Sequence, residues 1–355
     1  MPDAPKYVLV FDWGNTIMKE FPVYDGPMAD WPEVAEVDGA VEALEALVGR
    51  YSMVVATNAS ISTAGQVWKA LKRVGLGEYF KAVFTWRELG AKKPDPAFFH
   101  SIESVVGHPA HEMVMIGDGY SRDVLGAKTA GWRAVWYNPE GLAAPGLVPF
   151  QDTDIRDLRD LPQAIQHLSL PDYPTCLAWL LERGTPYNIL SHIHLVAATA
   201  YLLSVWLRNA GEMVNPVLTQ RGAMMHDLAK IDSLQPGKHI DHAAMAREIL
   251  LSRDQPELAE IANRHMPYRD RDDPRRPLTW EQKLVHYSDK LAEGSRLVPI
   301  EERLQALKAR YPLASTELEE SWPVLAELQQ EICARLDTAP ATLYERLRKA
   351  LGYIR

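Results

Sequence analysis

Short apolar runs alternate with amphipathic stretches along roughly the first 140 residues of the chain. The apolar runs are rich in β-branched and aromatic residues, which is typical of buried parallel strands. They lie at residues 7–11, 52–56, 82–85, 113–116 and 134–137. Amphipathic segments at 37–48, 62–74 and 123–130, and another that ends near Val106, separate these runs. This β-α alternation predicts a doubly wound parallel sheet.

Helical periodicity dominates the sequence from Cys176 onward. The predicted helices cover residues 189–207, 217–231, 241–251, 256–265, 280–292, 301–313 and 316–350. Between the two halves, residues 139–149 are rich in Pro, Gly and Ala, which indicates a domain boundary. We therefore expect an α/β domain at 1–150, a linker at 151–174, an all-α domain at 175–300 and a C-terminal helical extension at 301–355. The extension is interpreted as a packing or homodimerisation element.

Composition narrows the possible partners and compartment. The net charge of -9 argues against a nucleic-acid-binding protein, which normally presents a basic face. The two cysteines, Cys176 and Cys333, are too far apart for a metal motif or a disulfide framework, and the first apolar run is too short for a signal peptide. Residues 189–207 are apolar but carry His192 and His194, which favours a buried helix over a membrane span. We expect a cytoplasmic protein without a membrane partner.

Polar residues follow the predicted strands of the first half. Asp12 comes directly after the first strand, Thr57 after the second, and Asp118 and Asp123 after the fourth, while Lys93 precedes a helix. Open α/β sheets bind their ligands at the carboxyl ends of the strands. These side chains are therefore expected at one edge of the sheet, where carboxylates, a lysine and a hydroxyl suit phosphoryl-transfer chemistry.

Residues 7–138 resemble the haloacid dehalogenase superfamily, because four motifs of that family occur in its order, each at a strand end. The resemblance implies that Asp12 is the nucleophile and a magnesium ligand, and that Thr57 binds the transferring phosphoryl group. It further implies that Lys93 neutralises charge, while Asp118 and Asp123 complete the magnesium site.

Gly14 departs from this family pattern, since phosphatases of the superfamily usually carry an aspartate there as general acid. General acid catalysis contributes roughly a hundredfold to ten-thousandfold to rate. Family members that lack the acid usually have a large cap domain, yet the interval from Thr16 to Ser52 is too short for one. We expect a nearly capless domain. An alternative is a formed site with weak or lost turnover, kept for binding or for packing the second domain.

His226 and Asp227 stand side by side within an apolar helical stretch of the second half. Burying this pair is costly unless hydrogen bonds or a metal satisfy it. Further candidate metal ligands occur in other predicted helices: His192, His242, His265 and Asp289. Mixed imidazole and carboxylate ligands suit Fe, Mn, Zn or Co.

Other polar residues near these candidates have different interpretations. His194 points to another helix face than His192, His239 competes with His242 for one ligand position, and His286 is placed to support Asp289. Lys230 follows His226 by one helical turn and is a candidate for contacting substrate phosphate, with a surface lysine as the alternative.

The order of a histidine, a His-Asp pair, two further histidines and a closing aspartate resembles the HD superfamily of metal-dependent phosphohydrolases over residues 175–295. The two intermediate histidines, His242 and His265, imply its two-metal branch, with Asp227 as bridging ligand. The resemblance extends to bacterial HD-domain hydrolases of symmetrical dinucleoside tetraphosphates, so a nucleotide is the expected substrate. Alternatives are an active first domain with the second as a nucleotide sensor, and a non-catalytic binding protein.

Overall fold

A computed structural model describes residues 7–166, 168–234 and 240–353 of the chain. The fold divides into two compact units. The first unit takes in the chain up to Leu142 together with Phe150–Ser169. The second unit takes in Ala143–Pro149 and Leu170–Arg355.

The first unit is built on one parallel sheet of six strands in the order β3-β2-β1-β4-β5-β6. Its strands are β1 Val8–Phe11, β2 Ser52–Thr57, β3 Ala82–Thr85, β4 Met113–Gly117, β5 Arg133–Tyr137 and β6 Thr153–Ile155. The central strands β1 and β4 are buried along their whole length, as expected for a parallel sheet covered on both faces. The predicted doubly wound sheet is confirmed.

The helices of this unit connect the strands and supply the cover. They are α1 Ala40–Leu47, α2 Ala64–Arg73, α3 Trp86–Leu89, α4 Pro96–Val106, α5 Gly126–Thr129 and α6 Leu161–Gln166. Between β1 and β2, α1 is joined only by a 3-10 turn, Met28–Asp30, in the described chain. The predicted nearly capless architecture agrees with this arrangement.

The segment 151–174 is not a linker, contrary to the sequence-based expectation. Its strand β6 pairs with β5, with Ile155 opposite Tyr137, and Leu161 and Ile165 of α6 are buried in the core of the first unit. A strand of three residues is too short to show periodicity in the sequence. The segment expected to be a linker therefore includes the edge strand of the sheet.

The described residues of the second unit form helices and one short hairpin. Its helices are α7 Tyr173–Glu182, α8 Tyr187–Asn209, α9 Pro216–Met225, α10 Lys230–Ser233, α11 His242–Ser252, α12 Pro256–Asn263, α13 Trp280–Asp289, α14 Ile300–Arg310, α15 Ser315–Arg335 and α16 Pro340–Ala350. The hairpin consists of β7 Ala292–Glu293 and β8 Arg296–Leu297. The predicted helix 316–350 is two helices in the structure, because one helix ends at Arg335 and the next begins at Pro340.

Helix α8 is long and apolar enough to cross a membrane, with a mean hydropathy of 1.5 in its most apolar window. Within the second unit, however, 72% of that window is buried. Its residues Ile193, Val196 and Leu203 belong to the core that α9, α12 and α13 complete. The helix is therefore explained by protein packing.

Candidate metal centres

The first candidate centre lies at the carboxyl edge of the sheet in the first unit. Lys93 is almost fully buried, and its Nζ lies 2.6 Å from Asp12 Oδ1 and 2.6 Å from Asp123 Oδ1. The same ammonium donates to the backbone carbonyl of Ala56 at 3.0 Å. Lys93 thus joins the ends of β1 and β2 to the π-helical turn Tyr120–Leu125 that follows β4.

Three carboxylates converge beside this lysine. Asp12, Asp118 and Asp123 each offer one oxygen, and these oxygens lie within 4.8 Å of one another. Thr16 Oγ1 donates to Asp118 Oδ1 at 3.1 Å, and the Gly119 amide donates to Asp123 Oδ2 at 2.9 Å. Both carboxylates are thereby oriented toward Asp12.

The charge balance of this centre favours a bound cation. Burial raises the pKa of Asp123 to about 7, despite the opposing ammonium of Lys93. Burial and the neighbouring Asp12 also raise the pKa of Asp118. One ammonium faces three carboxylates, and a hard divalent ion with oxygen ligands, such as Mg²⁺, would compensate the remaining negative charge. The residues present fit a magnesium site.

A cavity of about 290 Å³ opens above these groups. Asp12, Thr57 and Lys93 line it, together with Glu20 and Arg122, which the sequence analysis did not single out. The Thr57 hydroxyl accepts a hydrogen bond from the Ala59 amide at 3.1 Å, which fixes this side chain at the end of β2. A hydroxyl group and cationic side chains therefore line the same cavity as Asp12.

In the second candidate centre, which belongs to the second unit, His192 lies within α8 and the other candidate ligands lie at or just beyond helix ends. The predicted helix 217–231 is interrupted, because α9 ends at Met225 and a turn carries His226 and Asp227. Likewise α12 ends at Asn263, just before His265. The last carbonyls of a helix have no partner within the helix.

These free carbonyls orient two imidazoles. Nδ1 of His226 donates to the Ala223 carbonyl, and Nδ1 of His265 donates to the Ala262 carbonyl, both at 2.6 Å. A proton on Nδ1 leaves the lone pair on Nε2, the usual preparation of a metal ligand. Nε2 of His226 is fully buried and has no hydrogen-bond partner among the described residues. An orphaned acceptor of this kind fits a bound metal ion.

Asp227 lies between two groups of histidines and turns one oxygen toward each. Its Oδ2 is 3.6 Å from His226 Nε2 and 4.0 Å from His192 Nε2. Its Oδ1 is 3.1 Å from His242 Nε2 and 3.6 Å from His265 Nε2. Asp227 therefore belongs to two sets of three potential ligands, each set having its ligand atoms within 4.8 Å.

Asp289, the last residue of α13, closes the side occupied by His192. Its Oδ1 is 3.1 Å from His192 Nε2, and its Oδ2 accepts from Lys290 Nζ at 2.5 Å. Arg303 of α14 is also buried, with a guanidinium nitrogen 3.7 Å from Asp289 Oδ1 and a hydrogen bond to Glu293. The segment expected to serve packing or homodimerisation thus contributes a charge to the site.

The protonation states of the centre suit metal coordination. Burial would raise the pKa of Asp227 and Asp289, but neighbouring histidines, lysines and Arg303 hold both well below their usual range. Burial lowers the pKa of His226. Burial and the neighbouring imidazoles of His226 and His242 hold the pKa of His265 far below its ordinary value. Neutral imidazoles beside ionised carboxylates are the forms that bind Fe, Mn, Zn or Co.

The remaining predicted residues take up different positions. His194 hydrogen bonds with the Tyr173 hydroxyl at 2.8 Å, away from the ligand sets. Nδ1 of His286 donates to the His265 carbonyl at 3.0 Å, whereas the sequence predicted that this residue supports Asp289. Lys230 Nζ lies 3.4 Å from His242 Nε2, and His239 lies outside the described residues. Lys290 and Arg303 were missed, because neither stands out from ordinary helical charges in the sequence.

Comparisons with known proteins agree with this division of the chain. Residues 11–137 match the model of the haloacid dehalogenase-like hydrolases, and residues 189–294 match the model of the HD domain. The chain therefore combines a haloacid dehalogenase-like hydrolase domain with an HD domain, as the sequence motifs predicted.

Individual relatives resemble only part of the chain. Pyrimidine 5'-nucleotidase PynA of Streptococcus pneumoniae is 34% identical over 131 residues, covering 35% of this chain and 54% of that protein. Pyrimidine 5'-nucleotidase YjjG of Escherichia coli is 35% identical over 112 residues, covering 30% and 48%. The chain thus spans about half the length of the curated relatives it matches. A solved structure of an uncharacterized protein from Listeria monocytogenes serotype 4b is 26% identical with a TM-score of 0.42, covering 46% of this chain and 98% of that one.

Proposed function

We propose that the second unit is a two-metal phosphohydrolase that cleaves phosphoester or phosphoanhydride bonds. The observation that supports this most directly is the position of Asp227, whose two carboxylate oxygens face two different pairs of histidines. A single shared carboxylate between two ligand sets is the arrangement that two closely spaced ions require.

The ligand roles follow from the distances around Asp227. His192, His226 and Asp289 would hold one ion with Oδ2 of Asp227, and the remaining two histidines, His242 and His265, would hold the second with Oδ1. Two such ions supply Lewis-acid activation of the phosphoryl group. Lys290 and Arg303 orient Asp289, while Lys230 beside His242 presents a positive charge for a substrate phosphate.

The proposed substrate is a nucleotide or dinucleoside polyphosphate, as the motif resemblance implies. The test is a phosphate-release screen over nucleotides, dinucleoside polyphosphates and sugar phosphates with Mg, Mn or Fe, combined with elemental analysis of the purified protein. Asp227→Ala should lose the bound transition metal and the activity that depends on it. Asp12→Asn should keep both, because Asp12 belongs to the first unit. Full metal content and full activity in Asp227→Ala would refute the assignment.

The first unit supports a second proposed activity, a magnesium-dependent phosphatase. The burial of Lys93 between Asp12 and Asp123 is the observation that favours it. In this proposal Asp12 attacks phosphorus, Lys93 and Thr57 stabilise the transferring oxygens, and Asp118 and Asp123 hold magnesium together with Asp12. Magnesium would supply charge neutralisation at the phosphoryl group. The two pyrimidine 5'-nucleotidases among the relatives suggest nucleoside monophosphates as substrates.

Hydrolysis of pyrimidine nucleoside monophosphates in the presence of Mg²⁺ tests this second activity. Asp12→Asn should abolish it, whereas Asp227→Ala should leave it intact. If Asp227→Ala removed both activities, the first unit would not be an independent enzyme. We also propose a cytoplasmic location, consistent with two free, buried cysteines.

A further inference from the structure

The space beside Gly14 is occupied by the side chain of another residue. A Cβ atom built on Gly14 would lie 2.2 Å from Glu20 Oε1 and 2.8 Å from the Glu20 carboxyl carbon. The backbone of Gly14 is not in the left-handed region, so the backbone itself would accept a side chain. The flexible Glu20 carboxylate therefore takes up the volume that a side chain at position 14 would need, and it would have to move aside to admit one.

A tight turn brings Glu20 back to this place. The Met18 amide donates to the Trp13 carbonyl at 2.9 Å, and the Asn15 amide donates to the Met18 carbonyl at 2.7 Å. Asn15 adopts a positive φ of 55°, a conformation that asparagine tolerates better than most residues. The chain after Asp12 thus folds back on itself within a few residues.

Asn15 then holds Glu20 by both its backbone amide and its carboxylate. Its Oδ1 accepts from the Glu20 amide at 3.1 Å, and its Nδ2 donates to Glu20 Oε2 at 3.2 Å. With Oε2 held in this way, Oε1 is the oxygen directed at Gly14. Glu20 also lines the same cavity as Asp12, Thr57 and Lys93.

We propose that Glu20 is the general acid-base residue of the first unit and replaces the carboxylate that Gly14 lacks. This inference rests on the proposed phosphatase activity of that unit. The geometry places a carboxyl group in the cavity that Asp12 also lines, by a different route through the chain. Partial burial raises the pKa of Glu20, in the direction that favours the protonated form of an acid.

The proposed reaction balances in two steps. An Asp12 oxygen attacks phosphorus, the bond between phosphorus and the ester oxygen breaks with its electron pair on that oxygen, and the Glu20 carboxyl gives it a proton, releasing an alcohol. Glu20, now a carboxylate, then takes a proton from water as the water oxygen attacks phosphorus. The bond between phosphorus and Asp12 breaks, which regenerates the Asp12 carboxylate and releases inorganic phosphate.

Leaving-group dependence separates an acid from a structural residue. Uridine monophosphate releases an alkoxide that needs a proton, whereas p-nitrophenyl phosphate releases a phenolate that is stable without one. With Mg²⁺ present, Glu20→Gln in the full chain should lower kcat/KM for uridine monophosphate by about a hundredfold or more, and for p-nitrophenyl phosphate by less than about tenfold. Glu33→Gln changes an exposed glutamate of the same interval and serves as the matched control.

A positional exchange provides the second arm. Gly14→Asp alone should be impaired less than Glu20→Gln, because its side chain has to push the flexible Glu20 carboxylate aside. Gly14→Asp combined with Glu20→Ala frees the volume and should recover most of the uridine monophosphate activity. Equal losses of kcat/KM on both substrates in Glu20→Gln, or no loss at all, would overturn the role of Glu20 while the phosphatase assignment stands. If the wild type released no more phosphate than Asp12→Asn from either substrate, the phosphatase assignment and the role of Glu20 would both be overturned.

Discussion

Replacing Lys93 with methionine would remove the only cation that the structure places between Asp12 and Asp123 among the described residues of the first centre. The Lys93 side chain is 1% exposed, and the two carboxylates are 9% and 1% exposed. Removing one partner of a buried ion pair costs roughly 3–5 kcal/mol, because the remaining charge stays desolvated. Since two carboxylates lose their partner at once, we expect a value at the upper end of this range.

Hydrogen exchange of the β1 and β2 peptides, measured by mass spectrometry in the presence of EDTA, reports the stability of this unit directly. A loss of about 3–5 kcal/mol corresponds to exchange that is roughly a hundredfold to several thousandfold faster. Addition of Mg²⁺ should slow the exchange again, because a divalent ion would supply the missing positive charge.

Lys69→Met is the matched control for this measurement. Lys69 pairs with Asp30 at 2.8 Å, but both side chains are more than half exposed. Exposed pairs contribute at most about 1 kcal/mol, so exchange of the same peptides should change by less than roughly tenfold. If Lys93→Met were as mild as Lys69→Met, the interpretation of Lys93 as the charge that holds this centre together would be refuted.

Three further outcomes are expected elsewhere in the chain. Gly222→Ala would place a Cβ 2.6 Å from Ile261 Cδ1. Overpacking costs about 1–3 kcal/mol and is partly offset by a helix-propensity gain of about 1 kcal/mol. The substitution should therefore lower both the melting temperature and the metal content of the second unit. The fully buried thiol of Cys176, whose pKa burial raises to about 12, should resist a thiol reagent at pH 8 and react only in urea. Arg303→Met should weaken metal binding in a chelator competition by about 10–100-fold, whereas Arg296→Met, which removes an exposed pair, should not.

The sequence was most informative where chemistry coincides with a strong local pattern. Asp12 follows a fully buried strand, and its position at the sheet edge follows directly from the hydrophobic run before it. The six candidate ligands of the second unit were also identifiable, because histidines and aspartates are conspicuous within apolar helical segments. The structure brings all six together, although their roles as ligands remain a proposal.

Other parts of the fold and of the two candidate centres depend on contacts that no local sequence pattern shows. The pairing of β6 is decided by β5, because three residues carry too little periodicity of their own. The turn that interrupts the predicted helix at His226 contains no proline or glycine that would indicate it in the sequence. In the sequence Arg303 resembles any other charged residue of an amphipathic helix, and only the fold shows that it is buried beside Asp289. The occupation of the space at Gly14 by Glu20 likewise depends on the turn between them.

The competition for one space between the Glu20 carboxylate and any side chain at position 14 also affects the evolutionary routes open to this loop. A lineage that exchanged one carboxylate for the other by single substitutions would pass through a crowded form, with both side chains, or through a form with neither. The first form would have to displace Glu20 from its hydrogen bond with Asn15, and the second would lack an acid, so the two arrangements should seldom interconvert. We therefore expect homologues to fall into two groups, one with an acidic residue at position 14 and one with glycine there and glutamate at position 20.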